Sequence, residues 1–309
     1  MRVEEAFFFN PQDPGNTRCD HDLEVLHQLT AIQRIKLNRQ DLLIGDWSAT
    51  HFSCTCCPVS LKMINPDIKI VVMLRDPTQR ALSRFVEQKR QANFPQHQAV
   101  RNHTFASYVD VELGSLEACL ARAAPFRRPG GDKPAAEGGA APAQPVGWGA
   151  GMDLGQWQEM QCFNRHSGWR AGAIFGWSVY DVYLSNYMAH FPPSQLLVLY
   201  TDELAERPLE VLQRLETFLG APPHKYEAEL LSRVYNSREC YHWRCGRQRS
   251  EIRPLSALDA GAGPDDGLFA NAVARLRAFY LPHMQRLFQW ADEGRIPLVP
   301  PAWRTAYAA

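Results

Sequence analysis

The chain has 309 residues, with 33 Lys plus Arg against 33 Asp plus Glu and 45% hydrophobic content. Balanced charge supplies no global field for a nucleic-acid or membrane-surface partner, so any anion site must be local. No apolar run approaches the roughly 18 residues that cross a bilayer, and no signal-peptide h-region opens the chain, which predicts a soluble α/β protein of one large or two small domains.

In chain order, Glu4 and Glu5 come first, just before Phe7, Phe8 and Phe9. A carboxylate pair thus abuts an apolar wall, where burial raises a carboxylate's pKa. Asp20 and Asp22, followed by Leu23, Leu26, Leu29, Ile32 and Ile35, predict a packing helix over 20–36. The run LLIGDW predicts a strand over 42–47 that leads into SATHF. Eight cysteines include Cys54, Cys56 and Cys57 close together, and Cys240 near Cys245. Both groups fit disulfides or metal ligands. Zinc favours paired C-x-x-C spacings with a second ligand pair elsewhere, which the chain lacks, so disulfides are the preferred reading.

The most informative stretch is IKIVVMLRDPTQRALSRFVEQKR, residues 68–90. Residues 68–74 form a short apolar run rich in β-branched side chains, the pattern of a central parallel strand covered on both faces. Arg75 and Asp76 then mark the carboxyl edge of the sheet, and Pro77 suits the first turn of a helix over 78–90. Ligands of open α/β sheets sit beyond such strand ends, where helix N-termini offer free N–H groups. An arginine fork and a serine hydroxyl, Arg75 and Ser83, suit a phosphate monoester there. The structural alternative is that Arg75 pairs with Asp76 or another carboxylate and Ser83 is a small packing residue.

Further on, Tyr108, Val109, Val111, Leu113, Leu116 and Leu120 predict a helix over 105–123. The Gly, Pro and Ala-rich segment 125–151 lacks periodicity and predicts a disordered surface insertion. Residues 168–190 predict a helix, 195–200 a buried strand, and 208–219 a helix stopped by Gly220. The segment 233–253 carries six arginines against two glutamates, interleaved with Tyr235, Tyr241 and Trp243. Such a loop suits single-stranded nucleic acid or a nucleotide with an acidic glycan, and the sheet context favours the second. Residues 270–290 predict a last amphipathic helix kinked at Pro282. Asn102-His103-Thr104 is a glycosylation sequon.

The segment LRDPTQRALSRF resembles the 3′-phosphate-binding pattern RDPxxRxxSxF/Y of sulfotransferases that use 3′-phosphoadenosine-5′-phosphosulfate. RVEEAFFFN, LLVLYTDELAERPLEVLQRLETFLG and CGRQRSEIRPL extend the resemblance to the glycan-modifying branch. The resemblance implies a P-loop nucleotide-kinase-like α/β fold, a mostly parallel sheet flanked by helices, in a single domain spanning 1–309. It assigns Arg75 and Ser83 to the 3′-phosphate, and Gly246 and Arg247 to a loop that wraps the cofactor. Ser178 and Tyr180 align with its SLY, on a helix that often faces the cofactor cleft; either they bind the cofactor or they belong to an aromatic stripe that packs as core. Glu5 aligns with the general base that takes the acceptor's proton, with Glu4 where the branch has lysine.

Trp47 stands where the branch has an active-site lysine; it either stacks on a sugar ring or fills core. His51 either donates into the cleft or is structural. The resemblance also implies a Cys240–Cys245 bridge in the cofactor loop, a glycan acceptor, no metal, no nucleic-acid partner and a Golgi address. A Walker A loop is absent, which argues against a nucleotide kinase. The lysine-containing glycine loop for the 5′-phosphosulfate, expected before the glutamate segment, is not seen, so the chain is expected to be an N-terminally incomplete form of a longer, membrane-anchored protein. The alternative is a catalytically inactive relative that binds the nucleotide or a glycan.

Overall fold

A computed structural model of the chain describes residues 43, 45, 49–92, 97–124, 154–165, 174–235, 246–248, 251 and 267–308. The expected helix over 20–36 and the insertion at 125–151 lie outside these residues, as does the strand expected over 42–47 except for residues 43 and 45.

The frame is a pair of parallel strands. β1 (Ile70–Leu74) runs beside β2 (Leu196–Tyr200), in register from Ile70 opposite Leu196 to Leu74 opposite Tyr200. Val72 and Leu74 enter the core, whereas Val71 and Met73 are 39% and 42% exposed. The expectation of a strand covered on both faces is therefore not met among the described residues. Side chains alternate along a strand, and the Val72 and Leu74 side faces the main helical core, whereas on the other side Leu199, opposite Met73, is buried although Met73 itself is not. The one other pairing among the described residues is antiparallel and two residues long, β3 (Arg233–Val234) with β4 (Arg247–Gln248).

Helices supply most of the core. α1 (Cys57–Ile64) has a proline in its first turn and follows a 3-10 turn at Ala49–Ser53. α2 (Pro77–Arg90) follows β1 directly, with Lys89 and Arg90 in its last turn where the helix dipole favours cations. After the short α3 (His97–Val100), Thr104 caps α4 (Phe105–Ala123) by accepting from Ser107 N at 3.1 Å. α5 (Leu154–Arg165) packs on α4.

The single helix expected over 168–190 is, in its described part, a 3-10 turn at Gly176–Ser178 followed by α6 (Tyr180–Met188). Gly176 explains the break: a Cβ there would lie 2.2 Å from the Phe163 carbonyl oxygen, so the turn is pressed against the α5 backbone. α7 (Thr201–Glu206) and α8 (Pro208–Leu219) follow β2, and Gly220 ends α8 at φ 70°, as expected. α9 (Ala228–Ser232) leads into β3. α10 (Leu268–Asp292) continues through Pro282 and packs across α4, α6 and α2, and α11 (Pro301–Ala306) closes the described chain. Leu74, Phe85, Phe105, Leu113, Phe163, Tyr183, Leu276 and Tyr280 share one core, all nearly fully buried. A smaller cluster joins Cys54, Cys56, Cys57 and Leu61 to Tyr187 and Phe191.

Candidate functional site

The turn from β1 to α2 puts Arg75 at the carboxyl end of the sheet. Asp76, the next residue, is turned away from it, because its carboxylate caps α2 by accepting from Gln79 N at 2.7 Å. The helix N-terminus is thus less open than the sequence suggested, since Pro77 has no N–H and Asp76 occupies a first-turn donor. Burial raises Asp76 above the usual carboxylate range. Asp202, just past the end of β2, is the other nearby acid. It accepts a hydrogen bond from Trp303 Nε1.

The consequence for Arg75 is direct. Its half-buried guanidinium makes no hydrogen bond or ion pair with any described residue. Burial lowers its pKa from the arginine value, and the fields of Asp202 and Asp76 offset this only in part. Ser83, half-buried in the second turn of α2, likewise has a hydroxyl with no partner among the described residues. The pairing of Arg75 with Asp76 that the sequence left open does not form. A partly desolvated cation just before α2 and a hydroxyl donor in its second turn are thus both uncommitted among the described residues, and each is suited to an anion's acceptor oxygens.

Buried polar bonds hold this turn in place. Tyr180, at the start of α6, donates its hydroxyl to the Arg75 carbonyl at 2.8 Å. Burial pushes that phenol up to about 12. Arg80, one turn into α2, is committed where Arg75 is not: it donates to Ser178 Oγ at 3.0 Å and to the Ile174 carbonyl at 3.2 Å. Thr78 and Tyr307 share a hydroxyl hydrogen bond of 2.8 Å that ties α11 to the first turn of α2. The structure thus joins Arg75, Arg80, Ser178 and Tyr180 in one frame. Ser178 is buried at 1% exposure, with its hydroxyl turned to Arg80. Asp202 and Tyr307 belong to this frame too and were not anticipated, since nothing in the sequence near them marks a link across more than a hundred residues.

The remaining candidates are dispersed. His51 is buried in the 3-10 turn, and its carbonyl accepts from Tyr187 at 2.8 Å. Asn164 and Asn186 fix the same segment by donating to the Ser53 and Thr55 carbonyls, each at 2.8 Å. Gly246 sits where a Cβ would come within 2.9 Å of Arg233 and Tyr235 side-chain atoms, and Arg247 pairs with Val234 in the short antiparallel ladder. Glu4, Glu5, Trp47, Cys240 and Cys245 lie outside the described residues.

Disulfides join Cys54 to Cys57 and Cys119 to Cys162, and Cys56 is also disulfide-bonded. The second bridge staples α4 to α5, on either side of the Gly, Pro and Ala-rich insertion. No group of three or more His, Cys, Asp or Glu among the described residues is arranged to hold a metal ion, and no described helix is long and apolar enough to cross a membrane. A family model described as sulfotransferase domain matches residues 27–239. The match spans more than half of the chain and includes Arg75, Ser83 and Ser178. No curated protein matches the chain.

Proposed function

We propose, from the premise that this chain belongs to the sulfotransferase domain family, that it transfers a sulfuryl group from 3′-phosphoadenosine-5′-phosphosulfate to a carbohydrate hydroxyl of a glycosaminoglycan-like acceptor. The observation that carries the nucleotide assignment is the uncommitted Arg75 guanidinium at the β1 carboxyl end, just before the helix whose second turn holds the uncommitted Ser83 hydroxyl. An arginine that is partly desolvated and lacks a carboxylate gains most from an anionic ligand, and a 3′-phosphate presents oxygens for both groups.

In this reading the acceptor oxygen attacks sulfur in line. The new S–O bond forms as the bond to the 5′-phosphate breaks, the hydroxyl proton passes to Glu5, and the nucleotide bisphosphate leaves. Gly246 and Arg247 wrap the cofactor, with Cys240–Cys245 closing their loop, while Trp47 and His51 line the acceptor side. The two bridges among the described residues suit an oxidising compartment, which supports a Golgi-lumen setting.

Calorimetry with adenosine 3′,5′-bisphosphate and adenosine 5′-phosphate tests the assignment. Arg75→Ala and Ser83→Ala are each expected to weaken the bisphosphate by about 1–3 kcal/mol, the range for charge-assisted bonds left unmade, and to change the monophosphate little. Equal losses for both nucleotides would overturn it.

A further inference from the structure

We propose that Asn102 carries an N-linked oligosaccharide. Asn102-His103-Thr104 is the one N-x-Ser/Thr sequon in the sequence, so any N-linked glycan on this chain has a single address. Three observations independent of the motif favour its use. Asn102 is exposed, in a turn between α3 and α4 held by Arg101 N donating to the His97 carbonyl at 2.8 Å and His103 N donating to the Val100 carbonyl at 3.0 Å. Its side-chain amide makes no hydrogen bond with the described residues, so substituting that nitrogen costs no contact among them. The chain also carries disulfides, and no cysteine among the described residues is free. Disulfides persist in the compartments into which sequons are delivered for glycosylation.

The position is compatible with the anion site. Lys89 Nζ donates to the His103 carbonyl at 2.7 Å, which fixes the sequon beside the last turn of α2. Lys89 is twelve residues beyond Pro77, about 18 Å along the helix. An oligosaccharide on Asn102 therefore extends from the end of α2 opposite Arg75. Thr104 is engaged in the folded chain as the cap of α4, accepting from Ser107 N and donating to Ser107 Oγ at 3.3 Å. Transfer consequently takes place before α4 closes. In that step Asn102 Nδ2 attacks the anomeric carbon of a polyprenyl-diphosphate-linked oligosaccharide. The C–N bond forms as the glycosyl C–O bond breaks, the lipid diphosphate leaves with the electron pair, and Nδ2 gives a proton to base.

The test is mass spectrometry of the tryptic peptide that begins at Asn102, from protein recovered from its source cells. Digestion with peptide-N-glycosidase in ¹⁸O-water is expected to convert Asn102 to ¹⁸O-labelled aspartate and to remove a gel-mobility shift. Asn102→Gln should lose that shift in the same cells, and Thr104→Ser, which preserves both sequon and cap, should retain it. An unmodified Asn102 in disulfide-bonded protein, or a shift that survives Asn102→Gln, overturns the proposal.

Discussion

Glu112 offers the sharpest test of how this core is built. It lies on the buried face of α4 at 6% exposure, one turn after Tyr108, and its Oε1 meets no hydrogen-bond donor among the described residues. Burial pushes its carboxyl up from 4.5 to about 7. The folded protein thus holds a proton there that the unfolded chain releases near pH 4.5. Between those values stability falls as pH rises, and above about pH 7 the full penalty applies. At roughly 1.4 kcal/mol per pH unit this amounts to about 3 kcal/mol. Glu112→Gln removes the ionisation but leaves an amide that lacks a full set of partners, so the expected gain is about 1–3 kcal/mol at pH 8 and none at pH 4.5. Urea unfolding followed by tryptophan fluorescence from pH 4.5 to 8 reads the difference. His283 adds slope of the same sign: burial lowers its pKa, but Asp181 at 2.9 Å outweighs this and raises it above 6.5, so its contribution is complete below 6.5 and is lost as pH rises from there through the raised value. The diagnostic quantity is therefore wild type minus variant. Parallel curves across the whole range would refute the account of Glu112.

Two further outcomes are expected. Replacing Cys119 and Cys162 together by alanine should cost about 4 kcal/mol, because the bridge closes a sequence separation of 43, whereas losing Cys54–Cys57, at a separation of 3, should cost about 2 kcal/mol; thermal unfolding of the variants without reductant checks the order. Tyr180→Phe should lower stability by about 1–2 kcal/mol and weaken binding of adenosine 3′,5′-bisphosphate, since the Arg75 carbonyl loses its buried donor; unchanged affinity in calorimetry would show that this hydroxyl only holds the fold.

Elements whose signals are local were legible in the sequence. The helix expected over 105–123 has the bounds of α4, although Val111 of its apolar pattern is 60% exposed, the apolar runs at 68–74 and 195–200 contain β1 and β2, and Gly220 stops α8 in the left-handed region. Other features were hidden for definite physical reasons. In a uniformly apolar run such as IVVML, alternation is invisible, so nothing distinguished the exposed Val71 and Met73 from the buried Val72 and Leu74. The break before α6 depends on the backbone of Phe163, which Gly176 meets only in the fold. Cys119 and Cys162 face each other across a segment with no pattern of its own, so their pairing could not be read from spacing.

Arg75 and Arg80 show where reading by residue type ends. Both occur in LRDPTQR, five positions apart, and both bring the same donor fork. The fold gives them opposite positions: Arg80 is consumed by Ser178 and the Ile174 carbonyl, whereas Arg75 is left without a partner among the described residues. That outcome depends on two acids. Asp76 caps α2 and Asp202 accepts from Trp303, so each nearby carboxylate is oriented by a bond to something other than Arg75. Pairing either with Arg75 would stabilise the protein alone but would fill the arginine's donors. An unpaired, partly desolvated guanidinium is a cost to folding. A fold that spends both neighbouring acids elsewhere keeps this charge available, and an incoming anion recovers the cost on binding. Stability and affinity should therefore move in opposite directions at this turn.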